Sequence, residues 1–181
     1  MNNNTFKTRD EFLTLIPKKK ICCEIGVFRG DYSKKIFDIC KPKKLFLVDI
    51  FDGPGCSGDK DGLNMVYTND LNNFYRSLKD HFKNNEEVEL VKNSSSTFFD
   101  SKEDNFFDFV YIDGDHQYNG VYQDLVNGYK KLKVGGILSG HDYHESIGGV
   151  KEAVNKFTTD NNIEFFTTTQ DLLPTFWMVK K

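Results

Sequence analysis

Short runs of apolar, aromatic and β-branched residues alternate along this chain with stretches whose apolar positions recur at helical spacing. The strongest run is residues 106–112, FFDFVYI, which suits a central strand covered on both faces. Asp113-Gly114-Asp115-His116 follows it directly. Val121, Tyr122, Leu125, Val126, Tyr129 and Leu132 then mark a helix, for which the Lys-rich end and Gly135-Gly136 predict the stop. Residues 136–140 read as a second short strand that delivers His141-Asp142-Tyr143-His144. Two neighbouring parallel strands are thus expected to present acids and imidazoles at one C-terminal sheet edge, where open α/β sheets bind ligands.

Upstream, Thr8-Arg9-Asp10-Glu11 has capping-box spacing and predicts a short helix ending before Pro17. Ile21-Cys22-Cys23-Glu24-Ile25 predicts a first strand, Gly26-Val27-Phe28-Arg29-Gly30 a turn, and Ile36, Phe37 and Ile39 the apolar face of a helix. Strand, glycine turn and helix together bring backbone N–H groups and a positive helix end close to a ligand. Residues 45–50 predict a second buried strand; Asp49 at its end is placed to accept both hydroxyls of a ribose. Residues 52–66, DGPGCSGDKDGLNMV, hold four glycines and almost no periodicity. Their length favours a mobile lid, the alternative being an exposed insertion with no role. A helix over 69–82, a strand at 88–91, a short helix capped by Asn93-Ser94-Ser95-Ser96, a helix over 148–157 and a hairpin of 163–169 with 176–180 complete the pattern. The expected fold is α/β: one domain over residues 1–181, with a Rossmann-like, seven-stranded, mostly parallel sheet. Helices cover both of its faces and a C-terminal antiparallel strand pair closes it.

Composition narrows the partners. With 181 residues the chain can bury a real core, and a net charge of −3 provides no broad basic field, so nucleic acid is not the expected partner. No apolar run approaches the ~20 residues that span a bilayer, and the first residues lack a signal peptide's apolar core. Cys22 and Cys23 are adjacent, Cys40 and Cys56 stand apart, and no CxxC pair occurs, so neither zinc nor dithiol chemistry is indicated and the cytoplasm is the expected compartment.

In this order and at these spacings, Glu24-Ile25-Gly26-Val27-Phe28-Arg29-Gly30, Leu47-Val48-Asp49, Tyr111-Ile112-Asp113-Gly114-Asp115-His116 and Gly135-Gly136-Ile137-Leu138-Ser139-Gly140-His141-Asp142-Tyr143 resemble the class I S-adenosylmethionine-dependent methyltransferases. More narrowly, the chain resembles the small metal-assisted O-methyltransferases typified by the macrocin and mycinamicin sugar enzymes and, more distantly, catechol O-methyltransferase. The resemblance covers residues 21–180. It implies S-adenosylmethionine as cofactor. Gly26 and Gly30 would admit its methionine part, beside Phe28 and Asp113, with Ser33 or Tyr32 near its carboxylate. Glu24 would support the turn, Asp49 hold the ribose and Ser95 touch the adenine; read from the residues alone, Ser95 is equally a helix cap. The resemblance also implies a divalent metal, Mg²⁺ or Mn²⁺, on Asp113 and Asp142. Where relatives carry another acid the chain has His141, so either His141 stands aside or the metal tolerates nitrogen. His116 is the expected base and Asp115 its rival. The implied acceptor is a small molecule with a sugar or phenolic hydroxyl, and a homo-oligomer is compatible with the pattern.

Two other classes compete. Asp113, Asp115, His116, His141 and Asp142 superficially fit a metal-dependent phosphoesterase, but the earlier strand ends go to a glycine turn and Asp49 rather than to further ligands. A nicotinamide dehydrogenase would want GxGxxG, whereas this turn has only Gly26 and Gly30. A non-catalytic cofactor-binding protein of the same fold is the remaining alternative, made open by His141.

Overall fold

The computed structural model describes residues 5–52, 54–57 and 66–181. Its strands are β1 (Ile21–Ile25), β2 (Lys44–Asp49), β3 (Pro54–Ser57), β4 (Val66–Asp70), β5 (Val88–Lys92), β6 (Phe107–Ile112), β7 (Leu132–Gly140), β8 (Phe165–Thr167) and β9 (Phe176–Val179). The helices are α1 (Arg9–Phe12), α2 (Asp31–Cys40), α3 (Leu71–His81), α4 (Ser95–Asp100), α5 (Tyr118–Lys131) and α6 (Val150–Asp160), with a 3-10 turn at Leu13–Leu15.

Seven strands form one sheet in the order β5-β2-β1-β6-β7-β9-β8. β5, β2, β1, β6 and β7 pair in parallel, and β9 and β8 are antiparallel. This is the Rossmann-like sheet that the alternating pattern predicts. The order reverses between β1 and β6, whose C-terminal ends therefore flank the crevice where such sheets take ligands.

Side-chain alternation splits the core in two. Cys23, Ile25, Val110 and Ile112 face one layer with α5 and α6, built from Val121, Leu125, Ala153, Val154 and Phe157. Cys22, Phe109 and Tyr111 face the other, with Phe12, Tyr32, Ile36 and Leu78 of α1, α2 and α3. Both faces of β1 and β6 are thus sealed, so what reaches the ligand edge does so from the strand ends and the turns that follow them.

Three readings need correction. Gly135-Gly136 does not stop α5: the chain becomes extended at Leu132 (φ −74°, ψ 145°), and both glycines lie inside β7. There the β6–β7 register jumps from Phe107↔Leu132 to Phe109↔Ile137, and Gly135 takes a φ of 80° at the kink. The stretch proposed as a lid is not wholly irregular, since Pro54–Ser57 pairs antiparallel with Val66–Asp70; residue 53 and residues 58–65 lie outside the described residues, and with them the proposed mobility. The α4 cap is Ser94, whose hydroxyl accepts the Thr97 N–H, rather than Ser95. Among the described residues no helix is long and apolar enough to cross a membrane.

Candidate functional site

The turn after β1 is built by steric necessity. Gly26 sits at φ 84°, and a Cβ there would come 2.1 Å from the Asp113 carbonyl oxygen. Only glycine lets β1 and β6 close to this distance, with the Asp113 N–H donating to Ile25 O at 2.7 Å. Asp49 ties the turn to β2. Its Oδ2 accepts the N–H groups of Val27 (2.8 Å) and Phe28 (2.9 Å), and its Oδ1 accepts that of Phe51 (2.9 Å). Phe28 and Phe51 both have positive φ, 51° and 43°, an unfavourable conformation for bulky residues that the shared carboxylate holds in place. A carboxylate has about four lone-pair sites; three are taken, so Asp49 has room for about one hydroxyl, not the two expected of it.

Glu24 and Ser33 also find each other. The Ser33 hydroxyl donates to Glu24 Oε2, and both side chains are buried. Burial carries the Glu24 pKa well above the usual carboxylate range, with the Ser33 hydrogen bond opposing it. Tyr32, the other residue expected near a cofactor carboxylate, donates its hydroxyl to Arg9 O at 3.1 Å. The Phe28 ring packs edge-on against Phe74 of α3 at 5.1 Å. Gly30 opens α2 at φ 74°.

The ends of β6 and β7 form a second cluster of different character. Asp113, His141 and Asp142 each offer a ligand atom within 4.8 Å of the others. His141 Nδ1 lies 2.7 Å from Asp142 Oδ1 and 3.9 Å from Asp113 Oδ1. From the other side, His116 Nε2 lies 3.1 Å from Asp142 Oδ2 and 3.8 Å from Asp113 Oδ1. Asp142 is only 6% exposed and sits at φ 61°, backbone strain of the kind that clusters at functional sites. Burial works to raise its pKa, but the His141 hydrogen bond and the charges of His141, His116 and Arg9 outweigh it and lower the pKa. At Asp113 burial wins and the pKa rises. His116 is raised by Asp113 beside it, against its own burial, with Asp142 and Asp115 adding to the shift.

Asp115 goes elsewhere: its Oδ1 accepts the Gln117 N–H at 2.9 Å, at the start of α5. Ser95 is likewise engaged, donating to Asp124 Oδ1 at 2.5 Å. Burial lifts Asp124 to about 6, with that hydrogen bond opposing. The structure therefore brings His116, Asp113, His141 and Asp142 together, places Glu24, Gly26, Phe28, Gly30, Ser33 and Asp49 around the neighbouring turn, and sets Ser95 and Asp115 against α5.

Arg9 is the residue that the sequence pattern does not reveal. Backbone bonds from Thr169 and Gln170 to Phe6 O and Lys7 O, and from the Arg9 N–H to Asp171 Oδ2 at 2.8 Å, strap the N-terminal segment across the molecule. The Arg9 guanidinium then lies 4.6 Å from the centre of the Tyr32 ring. Burial opposes its charge, but Tyr111, Tyr32 and Asp113 raise its pKa overall, making it a cation set under the acidic edge. No local spacing signals a contact made across the whole chain.

Beyond the cluster an open cavity of about 630 Å³ runs along α6, with Tyr118, His144, Lys151, Glu152 and Asn155 among its walls. Cys22, Cys23 and Cys40 are buried free thiols. Burial raises the pKa of each, Cys40 to about 12, which leaves them inert as nucleophiles.

A family described as a methyltransferase domain matches residues 23–143, from within β1 to the residue after Asp142. This chain belongs to that methyltransferase-domain family. Both the glycine turn and the acid–imidazole edge fall inside the matched span. No curated protein matches the methyltransferase chain by sequence. Among solved structures it is similar to a precorrin-6y C5,15-methyltransferase from Geobacter metallireducens (14% identity, 94% of this chain and 84% of that one, TM-score 0.67). It is also similar to SMU.1697c of Streptococcus mutans in complex with SAH (13%, 95% and 95%, 0.66), and to an rRNA methylase from Streptococcus thermophilus (13%, 94% and 93%, 0.61). At such identities the likeness shows a common fold.

Proposed function

We propose that this methyltransferase transfers the methyl group of S-adenosylmethionine to a hydroxyl of a small molecule, a sugar or a phenol, with a divalent cation at the β6–β7 edge. The cofactor reading is supported by SAH in the similar structure of SMU.1697c, by the turn at Gly26–Gly30 and by the remaining acceptor site on Asp49. The single observation that carries the oxygen acceptor and the metal is the convergence of Asp113, His141 and Asp142 within 4.8 Å beside the glycine turn. Two carboxylates suit a hard divalent ion, and their crowding in a largely buried place is relieved by a cation. Bound there, such an ion supplies Lewis acidity that lowers the pKa of an acceptor hydroxyl.

In the reaction the acceptor oxygen attacks the methyl carbon, the carbon–sulfur bond breaks, and its electron pair leaves on sulfur as S-adenosylhomocysteine. The hydroxyl proton goes to a base, for which His116 and Asp115 are the two groups at hand after β6. The protein's main work is alignment of the oxygen with the S–CH₃ bond. A net charge of −3 does not favour RNA, although the fold is shared with an rRNA methylase. Free buried thiols fit a reducing compartment, so we place the protein in the cytoplasm.

The test is a transfer screen with methyl-labelled S-adenosylmethionine over sugar, nucleotide-sugar, phenolic and ribosomal RNA acceptors, each with and without chelator. Transfer to a small hydroxylated acceptor that chelator stops is the expected result. Transfer to RNA, or to an amine without regard to chelator, would overturn the proposal.

A further inference from the structure

Among the described residues at the β6–β7 edge, His116 Nε2 is a fully buried polar atom left without a hydrogen bond. It lies 3.1 Å from Asp142 Oδ2, but not in hydrogen-bonding alignment, and its distance of 3.8 Å to Asp113 Oδ1 is too long for a bond. A buried nitrogen without a hydrogen bond is costly, so a native site leaves one only for a reason. His141 stands closer to the same acid: its Nδ1 is 2.7 Å from Asp142 Oδ1, near enough to pair with that oxygen and orient the carboxylate.

We propose that His116 Nε2 is a direct donor to the cation at this edge, together with Asp113 and Asp142, and that His141 orients Asp142 instead of binding the ion. The inference rests on the metal reading given above and sharpens it. Donors about 2.0–2.3 Å from one ion stand roughly 3–4 Å from each other; the spacings of 3.1 and 3.8 Å from His116 Nε2 to the two carboxylates fall in that range. The backbone of His116 is held for the task. Gly149 N–H donates to His116 O at 2.7 Å, and a Cβ on Gly148 would come 2.1 Å from that same oxygen, so the loop before α6 packs flush against it.

The donor chemistry then defines the ion. One imidazole with two carboxylates is a mixed nitrogen–oxygen set, which suits Mn²⁺, Fe²⁺ or Co²⁺ over Mg²⁺ and Ca²⁺. A direct ligand cannot also take the acceptor's proton, so His116 is removed from the role of base.

Pulsed electron paramagnetic resonance on the Mn²⁺-loaded protein tests this directly. The wild type should show hyperfine coupling to one imidazole nitrogen. That coupling should vanish in His116→Ala and persist in His141→Ala. Mn²⁺ affinity by calorimetry should fall at least tenfold in His116→Ala and be largely recovered, without nitrogen coupling, in His116→Asp. That recovery excludes mere misfolding of the alanine variant. Coupling that survives His116→Ala and disappears in His141→Ala would overturn the proposal. So would bound Mn²⁺ with no nitrogen coupling at all, which would leave a carboxylate metal site standing without His116. Failure of the wild type to bind Mn²⁺, Co²⁺ or Mg²⁺ would remove the metal reading itself.

Discussion

The two halves of the ligand edge differ in how far they satisfy themselves. At the β1–β2 half, Asp49 is saturated by three backbone donors but for one site, Glu24 has Ser33, and Gly26 closes on the Asp113 backbone. At the β6–β7 half, two carboxylates share a space with two imidazoles, Asp142 is held at positive φ, and His116 Nε2 is buried without a hydrogen bond. The first half is a finished scaffold that a ligand can lie upon. The second is electrostatically incomplete, which is the state expected of groups whose partner arrives from solution.

The largest effect should come from breaking the incomplete half. Asp142→Ala removes the carboxylate that both imidazoles face and should lower methyl transfer by ~10³-fold or more while abolishing its dependence on added cation, because ligand and base geometry go together. Stability should fall as well, since partners hold the Asp142 pKa low in the folded state and alanine tolerates a φ of 61° less well than aspartate. Steady-state kinetics against metal concentration, with thermal unfolding alongside, separates the two. Wild-type turnover unaffected by chelator would show the edge to be complete without an ion.

Next in size is a carboxyl that lies against neither half. Asp124 is 5% exposed, accepts from Ser95, and is lifted to about 6 by burial. An acid raised in the folded state binds more protons folded than unfolded, so stability falls as pH climbs from the unfolded value near ~3.9 through 6. Asp124→Asn keeps the acceptor for Ser95 and removes the ionisation. It should therefore be more stable than wild type at pH 7, by up to ~3 kcal/mol, and the difference should vanish below pH ~4. Denaturant unfolding at pH 4 and pH 7 checks it, and an equal difference at both would mean that charge is not the cause.

Much of this was legible in the sequence. The two buried strands, the acids that end them and the glycine turn follow from apolar runs that stop abruptly at titratable residues, and all of these stand where the pattern puts them. Positions set by tertiary closeness were not legible. Gly135-Gly136 carries a helix-stop signature that the β6–β7 kink uses for another end, because a bulge and a C-cap want the same conformational freedom. Ser95 and Ser94 differ by one place, and only the helix phase decides which caps and which meets Asp124. Arg9 reaches the edge by a strap that joins both ends of the chain, a relation no window can contain.

On the finished half, Asp49→Ala should cost ~1.5–3 kcal/mol of stability, the worth of hydrogen bonds to a charged acceptor, since three N–H groups and two phenylalanines in unfavourable backbone conformations lose their anchor. Affinity for S-adenosylmethionine should fall with it. Asp49→Asn is the sharper variant, because an amide oxygen can keep part of the turn while losing the charge that draws a ribose hydroxyl. Calorimetry with the cofactor on folded Asp49→Asn should show weakened binding; unchanged affinity would place the ribose elsewhere.

The smallest effect is the one that tests whether the finished half really is finished. Ser33 was expected beside the cofactor's carboxylate, yet its hydroxyl is given to buried Glu24. If that is its whole role, Ser33→Ala should lower stability by about 1 kcal/mol, the net value of one hydrogen bond plus a small packing loss. Burial already raises the Glu24 pKa and the Ser33 bond opposes it, so losing that bond moves Glu24 further toward its neutral form, which keeps the loss small. Cofactor affinity should then move less than about threefold. A drop of tenfold or more with stability intact would mean that the hydroxyl leaves Glu24 when the ligand arrives. The contrast between the two halves would then be one of ligand-free bookkeeping and not of function. Parallel unfolding and calorimetric titration of the same Ser33→Ala preparation decide between them.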